Sequence, residues 1–269
     1  MTAPFYSNKI QHFEKNKKGN DYVVGDIHGR YELVEKALKK INFNKNQDRL
    51  FCVGDLIDRG KNSAQVLNFL RNPYVHAIRG NHEDMLLELY AGAVEPSYED
   101  LLSYADSIGL HWWLSVNKKE RLEILEELRR LPLVSEIVTD RGNVGLVHAD
   151  VPIGLSWIKF KEAINEGDEN VIIKALWGRT RLSYGIVEEV QDIGRIYVGH
   201  TVQSKIRKLG NVVAIDTGAV FNQQLTLVNI ECRTKQINEA KRPFGNIQII
   251  KHDEKIFLPF SSYNDLNLV

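Results

Sequence analysis

The chain has 269 residues, 43% of them hydrophobic and 26% charged, which fits an ordinary globular protein with a self-sufficient core and excludes the disordered and disulfide-rich classes. Its 35 Lys and Arg balance 35 Asp and Glu, so no global basic field marks it for nucleic acid or an anionic membrane surface. The polar first twenty residues lack a signal-peptide core, no run approaches the roughly 18 apolar residues of a membrane span, and the two cysteines, Cys52 and Cys232, lack a C-x-x-C spacing; a reducing, cytoplasmic setting is the expectation.

After a polar extension over residues 1–19, the pattern alternates short apolar runs with helical periodicity, as strand-helix-strand units of a mixed or parallel sheet do. Tyr22 to Val24 reads as a strand, and Tyr31 to Ile41 as an amphipathic helix through Leu33, Val34, Ala37, Leu38 and Ile41. A second strand over Leu50 to Val53, a helix over Ser63 to Leu70, a third strand over Tyr74 to Ile78 and a helix from about His82 to Ala91 follow. Residues 92–131 carry no strand-like run and read as a helical insertion, with Trp112 and Trp113 assigned to packing and a substrate-groove role as the alternative. Its last helix, Lys118 to Arg130, lines Leu122, Leu125 and Leu128 on one side and stops at Pro132.

Leu133 to Val138 and Asn143 to Val147 suggest a hairpin, Ala163 to Leu176 a partly helical stretch, and Ile196 to Val198, Val212 to Ile215 and Leu225 to Ile230 further strands. Residues 233–269 form an appendage with one more expected hairpin, Ile247 to Ile250 with Ile256 to Leu258.

The chemistry sits where apolar runs end. Gly25-Asp26-Ile27-His28-Gly29, Gly54-Asp55-Leu56-Ile57-Asp58-Arg59-Gly60 and Arg79-Gly80-Asn81-His82-Glu83 each follow a strand, and two later runs end in His148 and His200. Ligands of open α/β sheets bind outside the carboxyl ends of strands, so these clusters are expected to share one crevice. Asp26, His28, Asp55, Asn81, His148 and His200 offer carboxylate, imidazole and amide donors without thiolate, a set that suits Mn²⁺, Fe²⁺ or Zn²⁺ better than Ca²⁺. Six donors are too many for one tetrahedral site; two ions sharing a carboxylate use them all. Arg59, Arg79 and Arg179 lie in or beside glycine-bearing turns, where a guanidinium fork can grip phosphate oxygens. His12, His76, His111 and His252 fall outside these clusters and receive no chemistry.

The strings GDIHGR, GDLIDRG, RGNHE, HAD and GHT, in that order, resemble the PPP-type metallophosphoesterases, with a particular likeness to phage lambda and bacterial protein-serine/threonine phosphatases. Trp177-Gly178-Arg179 and the run from Ile215 to Phe221 extend the likeness over about residues 20 to 232. It implies a two-sheet β-sandwich flanked by helices. It also implies that Asp26 and His28 bind a first metal, that Asp55 bridges, and that Asn81, His148 and His200 hold the second. His82 would be the general acid, paired with Asp58; Arg59, Arg79 and Arg179 would orient the phosphate, with Asp216 and Thr217 in support. The implied reaction is direct in-line hydrolysis of a phosphomonoester by a hydroxide activated between the two metals, with a phosphorylated protein or peptide as substrate and Mn²⁺ the expected metal.

Two alternatives are weighed against it. A symmetrical diadenosine tetraphosphate hydrolase shares the metal motifs, although the Asp58-Arg59 pair and Glu83 lean toward a protein phosphatase. A non-catalytic binding module on the same fold is expected to lack at least one ligand or the acid, and every one of them is present.

Overall fold

Valine, leucine and isoleucine alternate along the strands in a way that feeds two different cores, and that alternation generates the layering. The computed structural model describes residues 9–92 and 94–230, together with the backbone of 248–251. The first half contains β1 (Ile10–Phe13), β2 (Asp21–Val24), α1 (Tyr31–Lys40), β3 (Arg49–Cys52), a 3₁₀ turn at Ser63–Gln65 leading into α2 (Val66–Leu70), β4 (Val75–Ala77) and α3 (Asn81–Leu89). The insertion supplies α4 (Tyr98–Ile108), α5 (His111–Leu114) and α6 (Lys118–Arg130). Then come β5 (Val134–Ile137), β6 (Val144–Val147), α7 (Trp157–Glu166), α8 (Glu169–Trp177), α9 (Thr180–Tyr184), β7 (Arg195–Val198), β8 (Arg207–Leu209), β9 (Val212–Ala214), β10 (Gln224–Asn229) and β11 (Gln248–Lys251).

One sheet has the order β1-β5-β6-β7-β9-β8 and the other β11-β10-β2-β3-β4. Between them Val23, Phe51, Val53 and Ile78 from one sheet meet Val144, Leu146, Tyr197 and Val213 from the other. The next residues along, Val24, Leu50 and Cys52, turn outward under α1 to α6, while Val147, Ile196 and Val198 turn outward under α7 to α9. Helices thus cover both outer faces of a two-sheet sandwich, and the strands are apolar on both sides because both sides are buried. Each fully buried Leu, Ile, Val or Phe contributes about 1.5–3 kcal/mol by leaving water.

The helical insertion expected over residues 92–131 is α4 to α6. On α6 the buried side is Ile124, Leu125 and Leu128, whereas Leu122 is 55% exposed. Here the docking of Ile124 against the core, not the regular three-residue spacing, sets which stripe is covered.

Strands also lie outside the span 20–232 expected for the domain. β1 pairs parallel with β5, Ile10 opposite Val134, and Phe13 sets its ring edge-on to Phe51 at 4.9 Å. A sheet-edge strand with two apolar residues in four looks like a polar tail in sequence. In the appendage, β11 pairs antiparallel with β10, and the second arm expected at Ile256 to Leu258 lies outside the described residues.

β6 carries a test of this packing. A Cβ added to Gly145 would lie 2.5 Å from Trp157 Cη2 and 2.6 Å from Cζ2. The indole is wholly buried and pinned by its Nε1–H donating to Glu136 at 2.9 Å, so it has little room to give. Gly145→Ala is expected to destabilise the protein by about 1–3 kcal/mol, the usual penalty of overpacking, read as a lower midpoint in urea at unchanged m-value.

Candidate active site

β2, β3 and β4 are mutually parallel, and so are β6, β7 and β9. Contacts between the two sets show that their carboxyl ends meet at one end of the sandwich. His148, after β6, donates from Nδ1 to the Val53 carbonyl after β3 at 2.7 Å. The His200 backbone N–H, after β7, donates to Asp26 Oδ2 after β2 at 2.9 Å. All six expected metal ligands are buried there, none more than 7% exposed.

Asp55 stands in the middle. Its Oδ2 lies 3.5 Å from His28 Nε2 and its Oδ1 3.3 Å from His148 Nε2. Asn81 Oδ1 is 2.8 Å from His148 Nε2 and 3.0 Å from His200 Nδ1. One carboxylate therefore joins two groups of buried donors, His28 with His82 on one side and His148 with His200 on the other, with Asn81 against the second and Asp26 held by the His200 N–H.

The donor chemistry fits divalent cations. A backbone carbonyl only accepts, so the Nδ1 atoms of His28 and His148, bonded to the Ile57 and Val53 carbonyls at 2.7 Å, carry the hydrogens, and each Nε2 presents a lone pair. Burial drives the pKa of His28, His148 and His200 down, in the direction that favours neutral imidazole. The His148 lone pair then points at the Asn81 carbonyl oxygen, an acceptor facing an acceptor, an arrangement that a shared cation reconciles. Asp26 Oδ1 and His200 Nε2 are buried without a hydrogen-bond partner among the described residues. Burial, then the Asp216 and Asp55 carboxylates, push Asp26 well above the ordinary carboxyl range, and a cation would reverse that push. Asp216, raised to about 6 mainly by burial, completes the acidic wall and accepts from Gly218 N–H at 2.9 Å.

Beside this cluster, His82 Nδ1 meets Asp58 Oδ2 at 2.7 Å, with Asp58 wholly buried. The His82 ring lies edge-on to His28, centroids 4.7 Å apart, which places it against the first donor group. With Nδ1 held by the carboxylate, Nε2 is the ring nitrogen left for a ligand.

The three arginines part company. Arg59 donates to His28 Nε2 at 2.8 Å, its guanidinium carbon 5.4 Å from the Phe221 ring centroid. Arg179, exposed at the mouth, donates to Thr201 Oγ1 at 3.0 Å and senses the charges of Asp26, Asp216 and Asp55. Arg79 corrects the expectation of a phosphate contact. It is 2% exposed, its guanidinium bound to Asp84 Oδ1 at 3.1 Å and to the Arg129 carbonyl at 3.1 Å, so it ties α3 to the carboxyl end of α6. Its place beside Gly80 carried no sign of that docking.

Two residues that the sequence reading left out of its catalytic, phosphate and metal sets shape the site. The Glu83 carboxylate, wholly buried, accepts backbone N–H from Gly80 at 2.8 Å, Asp55 at 2.9 Å and Leu56 at 2.7 Å. Burial and then Asp55 push its pKa up to about 7. The signal was a glutamate three residues past Gly80, the residue that caps α3, the spacing of a capping box. The second is Trp112, assigned to packing: its Nε1–H donates to Asp58 Oδ1 at 2.8 Å, while Trp113 is the wholly buried core residue.

The calcineurin-like phosphoesterase family matches residues 22–204. Serine/threonine-protein phosphatase 1 of Salmonella typhimurium is 33% identical over 224 residues, covering 82% of this chain and 96% of its own. A symmetrical bis(5'-nucleosyl)-tetraphosphatase of Coxiella burnetii is 36% identical over 169 residues, 61% of this chain and 52% of its own. Among solved structures, a protein serine/threonine phosphatase from Saccharomyces cerevisiae shares the fold at a TM-score of 0.57 and 15% identity, over 96% of this chain and 86% of that one. Buried paired donors at the strand ends, a family match across both halves of the sandwich and phosphatase relatives of near-equal length lead to one assignment: the chain is a hydrolase of the calcineurin-like phosphoesterase family, of its PPP type.

Proposed function

We propose that the protein is a protein-serine/threonine phosphatase that hydrolyses phosphomonoesters by direct in-line attack at a site built for two divalent cations. The observation that carries this reading is the Asp55 carboxylate, one oxygen toward His28 and the other toward His148. Asp26, His28 and Asp55 would hold one cation; Asp55, Asn81, His148 and His200 the other. Mn²⁺ is our assignment, with Fe²⁺ or Zn²⁺ admitted by the same donors. When bound, such a pair activates a water and draws charge from the phosphoryl oxygens.

The chain's own side chains complete the reaction. Arg59, beside His28, and Arg179, beside the His200 turn, orient the phosphate and offset its equatorial charge. His82, oriented through Nδ1 by Asp58, gives the Nε2 proton to the ester oxygen as the P–O bond breaks, and the alcohol leaves neutral. A buried free thiol at Cys52 agrees with a reducing, cytoplasmic setting. Among the described residues no helix is long and apolar enough to cross a membrane.

A second reading rests on the Coxiella relative, and substrates separate the two. With Mn²⁺ and equal enzyme, phosphoserine and phosphothreonine peptides are expected to be hydrolysed with a higher kcat/KM than diadenosine tetraphosphate; the reverse order would favour the dinucleotide.

Roles within the site separate on metal content. Asp55→Asn is expected to lose bound metal, measured by elemental analysis, together with activity. His82→Asn is expected to keep its metal and lose roughly 10²–10⁴-fold in kcat, the range of a general acid. Equal metal loss in both would refute the division.

The arginines separate on the same assay. Arg59→Ala is expected to raise KM and lower kcat on a phosphopeptide with little change in urea midpoint. Arg79→Ala, which leaves Asp84 without its buried partner, is expected to cost about 3–5 kcal/mol of stability and to show chiefly as unfolding.

A further inference from the structure

Asp58 is wholly buried, and each of its oxygens has one strong donor: His82 Nδ1 on Oδ2 at 2.7 Å, and Trp112 Nε1 on Oδ1 at 2.8 Å. The first bond belongs to the proposed acid; the second comes from α5, in the insertion, 54 residues along the chain. The same segment also presses on the backbone next door. The Arg59 N–H donates to the Gly109 carbonyl at 2.9 Å, and a Cβ on Gly109, whose φ is +84°, would lie 2.8 Å from Arg59 N. Both turn residues, Asp58 and Arg59, hold left-handed backbone angles of +69° and +64°, a conformation a non-glycine chain keeps only when its surroundings impose it.

We infer that Trp112 is a positioning residue for the proton transfer, its indole N–H fixing the Asp58 carboxylate so that Asp58 fixes the tautomer and orientation of His82. The inference rests on the proposed phosphomonoesterase reading and deepens it, giving the helical insertion a part in the reaction. A carboxylate held at one oxygen only can rotate about its Cβ–Cγ bond and take the imidazole with it. Held at both, it keeps Nδ1 of His82 as the donor to Oδ2 and leaves Nε2 to carry the proton that moves. In that step the Nε2–H bond breaks, the proton joins the ester oxygen, and the electron pair of the breaking P–O bond stays on that oxygen, which departs as the alcohol. The phosphate takes the water oxygen with one of its protons, the other water proton restores Nε2–H of His82, and nothing is oxidised or reduced. In this role Trp112 acts through Asp58, the acceptor of its N–H.

Such a residue is recognised by its dependence on the leaving group. Phenol needs its proton during bond breaking far more than p-nitrophenol does. Trp112→Phe keeps an aromatic ring against Trp113, whose centroid lies 5.2 Å away, and deletes the N–H. With full-length protein and Mn²⁺, the variant is expected to lose roughly 10–100-fold in kcat on phenyl phosphate, about ten times more than it loses on p-nitrophenyl phosphate, with KM nearly constant. The ratio between the two esters is indifferent to any fraction of protein that fails to fold, since that fraction lowers both alike. In a His82→Asn background, Trp112→Phe is expected to add little further loss, because the acid it positions is gone. Equal losses on both esters, or full additivity with His82→Asn, would overturn the positioning role and leave the phosphatase reading standing. A wild-type protein inactive on both esters and on phosphopeptides, with metal bound, would overturn the phosphatase reading itself.

Discussion

A single buried carboxylate organises the catalytic end of this protein. Glu83 closes the first turn of α3 by accepting the N–H of Gly80, and with the same two oxygens it accepts N–H from Asp55 and Leu56 in the loop after β3. Burying a charge is costly unless hydrogen bonds replace the lost water, and here backbone donors from two loops do so. In exchange the loop carrying Asp55 is fixed against the turn carrying Asn81 and His82. The Asp55 carboxylate adds a second tie by accepting the His82 backbone N–H at 3.1 Å, so the three side chains are held in register.

The site is bought with strain. Among the described residues five of the non-glycine positions with positive φ are His28, Asp55, Asp58, Arg59 and His200, each in or next to the cluster. Such conformations cost of order 1–3 kcal/mol apiece, and the carboxylates of Asp26, Asp55 and Asp216 repel one another besides. The surrounding layers offset this. Parallel strands in both sheets begin and end in apolar cores, so the loops are held at both ends by elements that do not yield. Bound cations would relieve the repulsion directly, which links loading of the site to the stability of the fold.

Much of this was legible in the sequence because each strand writes its own ending. Asp26 and His28, Asp55 with Asp58 and Arg59, Asn81 and His82 sit as short strings after apolar runs, and the structure brings those strings together with His148 and His200. What stayed hidden depends on partners distant in the chain. Arg79 looks like a phosphate ligand until α6 docks and offers it carbonyls. Trp112 looks like core until Asp58 is seen beneath its N–H. β1 looks like a tail because only two of its four residues face anything apolar. Periodicity reports which side of a helix is greasy, but the three-residue spacing of Leu122, Leu125 and Leu128 drifts around the helix, and Ile124 takes the place against the core that Leu122 leaves to solvent.

Relatives named for different substrates, a protein phosphatase and a nucleosyl tetraphosphatase, match this one chain over 224 and 169 residues. The shared scaffold therefore does not choose the substrate, and the choice falls to side chains around the mouth. On this chain two exposed aromatic rings are among them. Phe221, 55% exposed, lies under the Arg59 guanidinium, and Trp177, 42% exposed, stands edge-on to His200 at 5.9 Å. Arg179 follows Trp177 by two residues, and its guanidinium turns to the His200 carbonyl and Thr201 Oγ1. A ring that stacks on a guanidinium shields it from water and stiffens it without neutralising it. Under the proposed reading Phe221 steadies Arg59 in this way, and the exposure of both rings leaves them open to the group attached to the phosphate.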